Sequence, residues 1–121
     1  MIPDYWRNFI VVNDIIGCDF EVSEEDDLSE LGADLRIMSI EQCVSEAREC
    51  YPGIVAIKDG YIPVAMCLEG SGDYYYIQVT EGESGSLYRI YHDAVNGEKI
   101  ESKGIEKVLN NYVSLLKNKS P

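Results

Sequence analysis

The sequence predicts a single α+β domain spanning residues 1–121, in which a mostly antiparallel, twisted sheet of about four to six strands is packed by N-terminal and C-terminal helices. Three observations predict it. Apolar residues recur at helical spacing near both ends of the chain, whereas the part after Pro52-Gly53 breaks into short β-rich runs divided by glycine-bearing turns. The length, 121 residues with 45% apolar and 26% charged, suits one hydrophobic core rather than two.

Element by element, Asp4 is placed to cap a helix in which Tyr5, Phe9, Val12 and Ile16 follow at helical spacing, with Trp6 and Ile10 beside them, until Gly17 stops it. From Asp19 to Asp34 acids dominate and Glu24-Glu25-Asp26-Asp27 are adjacent, so mutual repulsion predicts an exposed loop. The loop lacks the alternating acids and central glycine of a calcium-binding EF-hand. Ser39-Ile40-Glu41-Gln42 has the form of a capping box, followed by a helix with Ile40, Cys43, Val44, Ala47 and Cys50 on one face and ended by Pro52.

Strands are expected at Ile54–Ile57, Tyr61–Leu68, Tyr74–Thr80 and Leu87–Tyr91, separated by loops short enough for antiparallel neighbours. Pro63 cannot donate to a ladder and is expected at an edge or a bulge. Ser102 is placed to cap a last helix with an apolar stripe of Ile105, Val108, Leu109, Tyr112, Val113 and Leu116, and with Lys117 and Lys119 near its C-terminal dipole.

Ten basic against 22 acidic residues give a net charge of −12, which disfavours nucleic acid and anionic membrane as partners. The first sixty residues hold fourteen acids and four bases, the remainder eight and six, so the field comes from the first half. Apolar runs fall far short of the roughly 20 residues that cross a bilayer, and the start of the chain lacks the pattern of a secretory signal. A cytoplasmic protein is the resulting expectation. Cys18, Cys43, Cys50 and Cys67 form no C-x-x-C pair and His92 is the single histidine, so reduced thiols are expected and neither a metal nor a cofactor.

Catalytic patterns are equally thin. Gly70-Ser71-Gly72 is flanked by Glu69 and Asp73 where a nucleophile elbow needs glycines, and Tyr75 replaces the last glycine of a dinucleotide loop. A tight inter-strand turn is the plainer reading. His92 and Asp93, adjacent on a strand, point to opposite faces and cannot share an imidazole hydrogen bond. The run Tyr74-Tyr75-Tyr76 must place rings on both faces of its strand, and tyrosine offers rigid, amphipathic contact area suited to a protein interface.

The ordered string Tyr51-Pro52-Gly53, Asp59-Gly60-Tyr61-Ile62-Pro63, Glu69-Gly70-Ser71-Gly72-Asp73-Tyr74-Tyr75 and Tyr88-Arg89-Ile90-Tyr91-His92-Asp93 resembles the SUKH superfamily of bacterial immunity proteins and fungal cell-wall-synthesis regulators. The G-S-G-D turn before a tyrosine-rich strand is its most characteristic piece, and Ile2-Pro3-Asp4-Tyr5 with Phe9-Ile10 and Asn13 is similar to the family's opening helix. Asp14-Ile15-Ile16 separates Asn13 from Gly17 where the family more often has them adjacent. The resemblance implies a single SUKH-like, non-enzymatic domain that neutralises a cognate toxin, often a nuclease, by direct binding. The alternative it leaves is a regulatory or scaffold domain for an endogenous protein. Because phosphate-gripping nuclease surfaces are basic, a −12 domain would be steered toward one. Charge and turn placement assign Glu24, Glu25, Asp26 and Asp27 to steering such a basic toxin domain, and Glu69, Asp73 and Tyr74 to a packed contact.

Overall fold

The computed structural model describes residues 1–120. It is an α+β fold in which six strands form one curled antiparallel sheet with helices packed against it. The strands are β1 (Asp19–Val22), β2 (Ala33–Ile37), β3 (Tyr61–Cys67), β4 (Tyr74–Gln78), β5 (Leu87–Ile90) and β8 (Ile105–Leu109), in that spatial order, with the hairpin β6 (Val95–Asn96) and β7 (Lys99–Ile100) inserted between β5 and β8. The chain therefore meanders, each strand pairing with the one before it in the sheet. Curling brings the two edges under cover: the Leu28 amide donates to the Val108 carbonyl of β8, and Lys119 bridges to Phe20 of β1.

Alternation explains both faces. Phe20 and Val22, Leu35 and Ile37, Ile62 and Val64, Tyr75 and Ile77 point to the inner face, where they meet Trp6, Phe9 and Ile10 of helix α1 (Asp4–Val12). There the rings of Trp6, Phe9 and Tyr112 interlock with centroids 4.9–5.4 Å apart. Tyr76 and Ile90 face the other way and are sealed by Ala56 and Ala94. The tyrosine run divides as expected, Tyr75 inward, Tyr76 outward and Tyr74 half-buried.

Helix α2 (Ile40–Glu49) begins at the predicted capping box, with the Ser39 hydroxyl accepting from the Gln42 amide at 3.2 Å and the Gln42 side chain accepting from the Ser39 amide at 2.9 Å. The expected strands at 61–68, 74–80 and 87–91 are present with slightly shorter bounds, and a register shift lies between Pro63 and Ala65. Gly70 and Gly72 both have φ of 79°, the left-handed conformation the β3–β4 turn was expected to need.

Four expectations are corrected. Ile54–Ile57 is not a strand: Gly53–Ala56 forms a short helix, α3, running into a 3-10 turn, and it packs so closely on α2 that a Cβ at Gly53 would lie 2.5 Å from the Glu46 carbonyl oxygen. A four-residue apolar run carries no period of its own, and docking on α2 decides it. The C-terminal segment is not one helix. Residues 105–109 pair with β5, and Asn111 starts a separate 3-10 helix (Tyr112–Asn118) by accepting from the Val113 amide at 2.9 Å.

Between Asp19 and Asp34, only 23–32 is a loop, because Phe20 and Val22 alternate with Asp19 and Glu21 and so supply a one-sided strand. Helix α1 has Pro3 at its N-cap position with no side-chain cap, Asp4 being its first residue and not its cap, and it stops at Val12, where Asn13 Nδ2 donates to the Phe9 carbonyl at 2.8 Å. Ile16 falls outside it and Val12 is 80% exposed.

Candidate protein-binding surface

In an antiparallel meander alternate connections leave from the same end of the sheet. The β1–β2 loop, the β3–β4 turn and the chain leaving β5 all do so here, which puts Glu24, Glu25, Asp26, Asp27, Glu69 and Asp73 on connections from one end and Tyr74, the first residue of β4, next to them. The β1–β2 loop, 23–32, carries Glu24, Glu25 and Asp26 exposed, followed by Leu28 and Leu31, which are 50% and 56% exposed.

Asp27 breaks the expectation of a solvated acidic run, for it is 2% exposed. Its Oδ1 accepts from the Ser29 amide and hydroxyl, both at 2.7 Å, closing an Asx turn, and its Oδ2 faces Arg89 Nη2 at 3.4 Å. Arg89, on β5, also donates to the Ser29 hydroxyl at 2.7 Å, the Gly32 carbonyl at 2.7 Å and the Tyr75 hydroxyl at 3.2 Å, with its guanidinium 5.2 Å from the centre of the Tyr75 ring. Burial opposes the charge on Arg89, but Tyr75 and Asp27 outweigh it and the pKa is raised. Burial likewise pushes the Tyr75 hydroxyl up to about 12, so it stays protonated.

One buried guanidinium thus holds the loop at three points. Asp27 belongs to the loop's foundation, and of the four acids in that run Glu24, Glu25 and Asp26 are the exposed ones.

The second cluster joins the β3–β4 turn to the end of β5. Asp73 Oδ1 accepts from the backbone amide of His92 and from its Nδ1, each at 2.8 Å, with the Asp73 side chain 9% exposed and the imidazole 61%. The hydrogen bond to Asp73, then its charge, raises the His92 pKa. His92 pairs with Asp73 of the β3–β4 turn and not with its neighbour Asp93, but the strand alternation expected for 92 and 93 is not the cause, because both lie in the turn that follows β5. The Ser71 hydroxyl donates to Cys67 Sγ at 3.2 Å and accepts from the Asp73 amide at 3.3 Å, which ties off the turn.

Glu69 is exposed at the tip of that turn; Tyr74 is half-buried, its pKa raised by burial and by Glu46. The structure therefore brings Glu69, Asp73 and Tyr74 together on one hairpin. It keeps Glu24, Glu25 and Asp26 on a separate loop.

Arg89 and His92 are the two residues whose long-range partners were not evident from the sequence. The sequence carries a signal for Arg89 alone, and the contact of His92 follows from strand pairing. Arg89 shares a strand face with Leu87, an unusual place for a lone cation. The pairing of Tyr74 with Ile90 brings the residues just beyond those strand ends together.

All four cysteines are free thiols, and among the described residues no cluster of histidine, cysteine or carboxylates is arranged to hold a metal. No helix among them is long and apolar enough to cross a membrane. Comparison with family models, curated proteins and solved structures gives no match.

Proposed function

We propose that this chain is a non-enzymatic protein-binding domain and, more specifically, an immunity protein that neutralises a basic toxin domain by occupying its phosphate-binding surface. The observation that carries the reading is the loop 23–32. Four exposed carboxylates, Glu24, Glu25, Asp26 and Glu30, and two exposed leucines stand on a backbone fixed from below by the buried Asp27–Arg89 pair. Acids at the rim give steering and long-range selection, apolar side chains give contact area, and a loop fixed in advance loses little entropy on binding. The net charge of −12 directs the same choice of a basic partner, and the resemblance of the G-S-G-D turn and its flanks to SUKH proteins supplies the immunity context.

The test is paired capture from lysate of the source cells at low salt, using the wild-type chain and the triple reversal Glu24→Lys, Glu25→Lys, Asp26→Lys, each followed by salt elution. The expected result is a basic protein retained by the wild type and lost from the reversal. Its toxic activity, expressed alone, is suppressed by co-expression of the wild-type chain. Equal retention by both chains, or a captured protein with no toxicity, overturns the reading. Asp27 is left intact so that loss of binding is not confused with loss of fold.

A further inference from the structure

A second surface lies between the last turn of α1 and the 3-10 helix 112–118. A groove there is lined by the exposed Val12 and Val113 over the buried Phe9 and Tyr112, with Asn8, Asn13 and Asn111 on its rim and Glu83 as its one charged residue among the described residues. Val11 and Val12 are 66% and 80% exposed and Val113 39%. β-Branched residues are mediocre helix formers, and two in succession on an exposed helix end strengthen neither the helix nor the core. The 3-10 helix is also a wall of a second groove, where Ser114 and Lys117 stand beside Asp26 and Leu28 of the acidic loop. One short helix therefore separates the apolar groove from the acidic loop and makes the two surfaces continuous.

We propose that the groove between α1 and the 3-10 helix is the second half of the docking face, and that it takes an apolar side chain of the protein partner flanked by lysine or arginine. The proposal rests on the protein-binding reading above. Charge selects this occupant: the groove's own charge is the Glu83 carboxylate, and a second copy of a −12 chain is repelled by the first, whereas a basic segment is attracted. Val12 and Val113 supply the short-range contact and Glu83 the charge match, the neighbouring Asp26 being offset by Lys117.

The full-length, isotopically labelled chain is titrated by NMR with three short synthetic peptides: a phenylalanine flanked by lysines, a serine flanked by lysines, and a phenylalanine flanked by serines. The expected result is shifts centred on Asn8, Asn13, Glu83 and Asn111 with the first peptide only. Val12→Ser and Glu83→Lys should each weaken it about tenfold, the size of one lost apolar or charge contact. Both positions are exposed, and unchanged spectra of the free variants certify their folds.

Equal shifts from the serine peptide, or no binding by any of the three, overturn the proposal. So does a concentration-dependent dimer in sedimentation that Val12→Ser abolishes, because a second copy would then cover the face. Shifts confined to residues 24–26 overturn the groove while leaving the acidic-loop reading standing; shifts in the groove with capture unaffected by loop reversal do the opposite.

Discussion

Asp27 and Asp73 each bind a basic side chain of the β5 region to a neighbouring connection, yet they do so in different media. Asp27 is sealed with Arg89 on the inner side of the sheet, at side-chain exposures of 0% and 6%, and the two are further hydrogen-bonded to Ser29, Gly32 and Tyr75. Asp73 holds an imidazole that stands mostly in water. A charge removed from water has no substitute if its partner is lost, whereas an exposed one is solvated at once. The first pair therefore fixes the loop's geometry, and the second is adjustable.

That contrast predicts its own largest effect. Arg89→Met strands the Asp27 carboxylate and frees the Gly32 carbonyl, so chemical denaturation should show a loss of about 3–5 kcal/mol, typical of breaking one side of a buried pair. The double variant Asp27→Leu, Arg89→Met should recover much of that loss, since a well-packed apolar pair replaces a buried ionic one at little cost. Even so, the double variant should show faster amide exchange across 23–32, because the hydrogen bonds from Arg89 to Ser29 and Gly32 are gone. A double variant as unstable as the single one would mean that the ion pair is not what the site depends on.

How much of this was legible from the sequence follows the same division between local and long-range causes. The Ser39 capping box, the strands at 61–68, 74–80 and 87–91, and the glycine turn at 70–72 rest on residues within a few positions of one another, and they appear where expected. Residues 105–109 carry an apolar spacing that fits a helix, yet β5 offers them a ladder, and only the paired strand settles the choice. Asp27 sits in a run of four acids, so repulsion predicted exposure; its burial depends on Arg89, 62 residues away in sequence. Long-range partners of this kind leave only indirect traces in one sequence, here an arginine on the inward face of an apolar strand.

The adjustable pair gives the middle effect, visible as a pH dependence. His92 has its pKa raised above the ordinary 6.5 by the Asp73 hydrogen bond, so its protonated form is favoured in the folded chain. The stabilisation is fully present below about pH 6.5, the unfolded value, and is lost as pH rises through the raised folded value. Thermal midpoints of wild type and His92→Gln, followed from pH 5 to 9, should diverge at the acid end and converge at the alkaline end. The backbone amide of residue 92 still reaches Asp73 in the variant, which keeps the turn in place and isolates the imidazole. Parallel curves across the range would show that Asp73 uses only that amide.

The smallest effect belongs to Asp19 and Arg36, which face each other across β1 and β2 with a hydrogen bond of 2.7 Å and side chains 36% and 47% exposed. Geometrically this pair is closer than Asp27 and Arg89, and distance alone would rank it the stronger. Water reverses the ranking, because both groups keep their solvation when the contact opens. The Arg36 hydrogen bond lowers the Asp19 pKa below its ordinary 3.8, so any stabilisation is present above about pH 3.8 and disappears as pH falls through the lowered folded value. Arg36→Gln should therefore leave the midpoint at pH 7 unchanged within error at moderate salt, and differ from wild type, if at all, only at low ionic strength. A loss comparable to that of Arg89→Met would show that burial is not what separates the strong anchor from the weak ones.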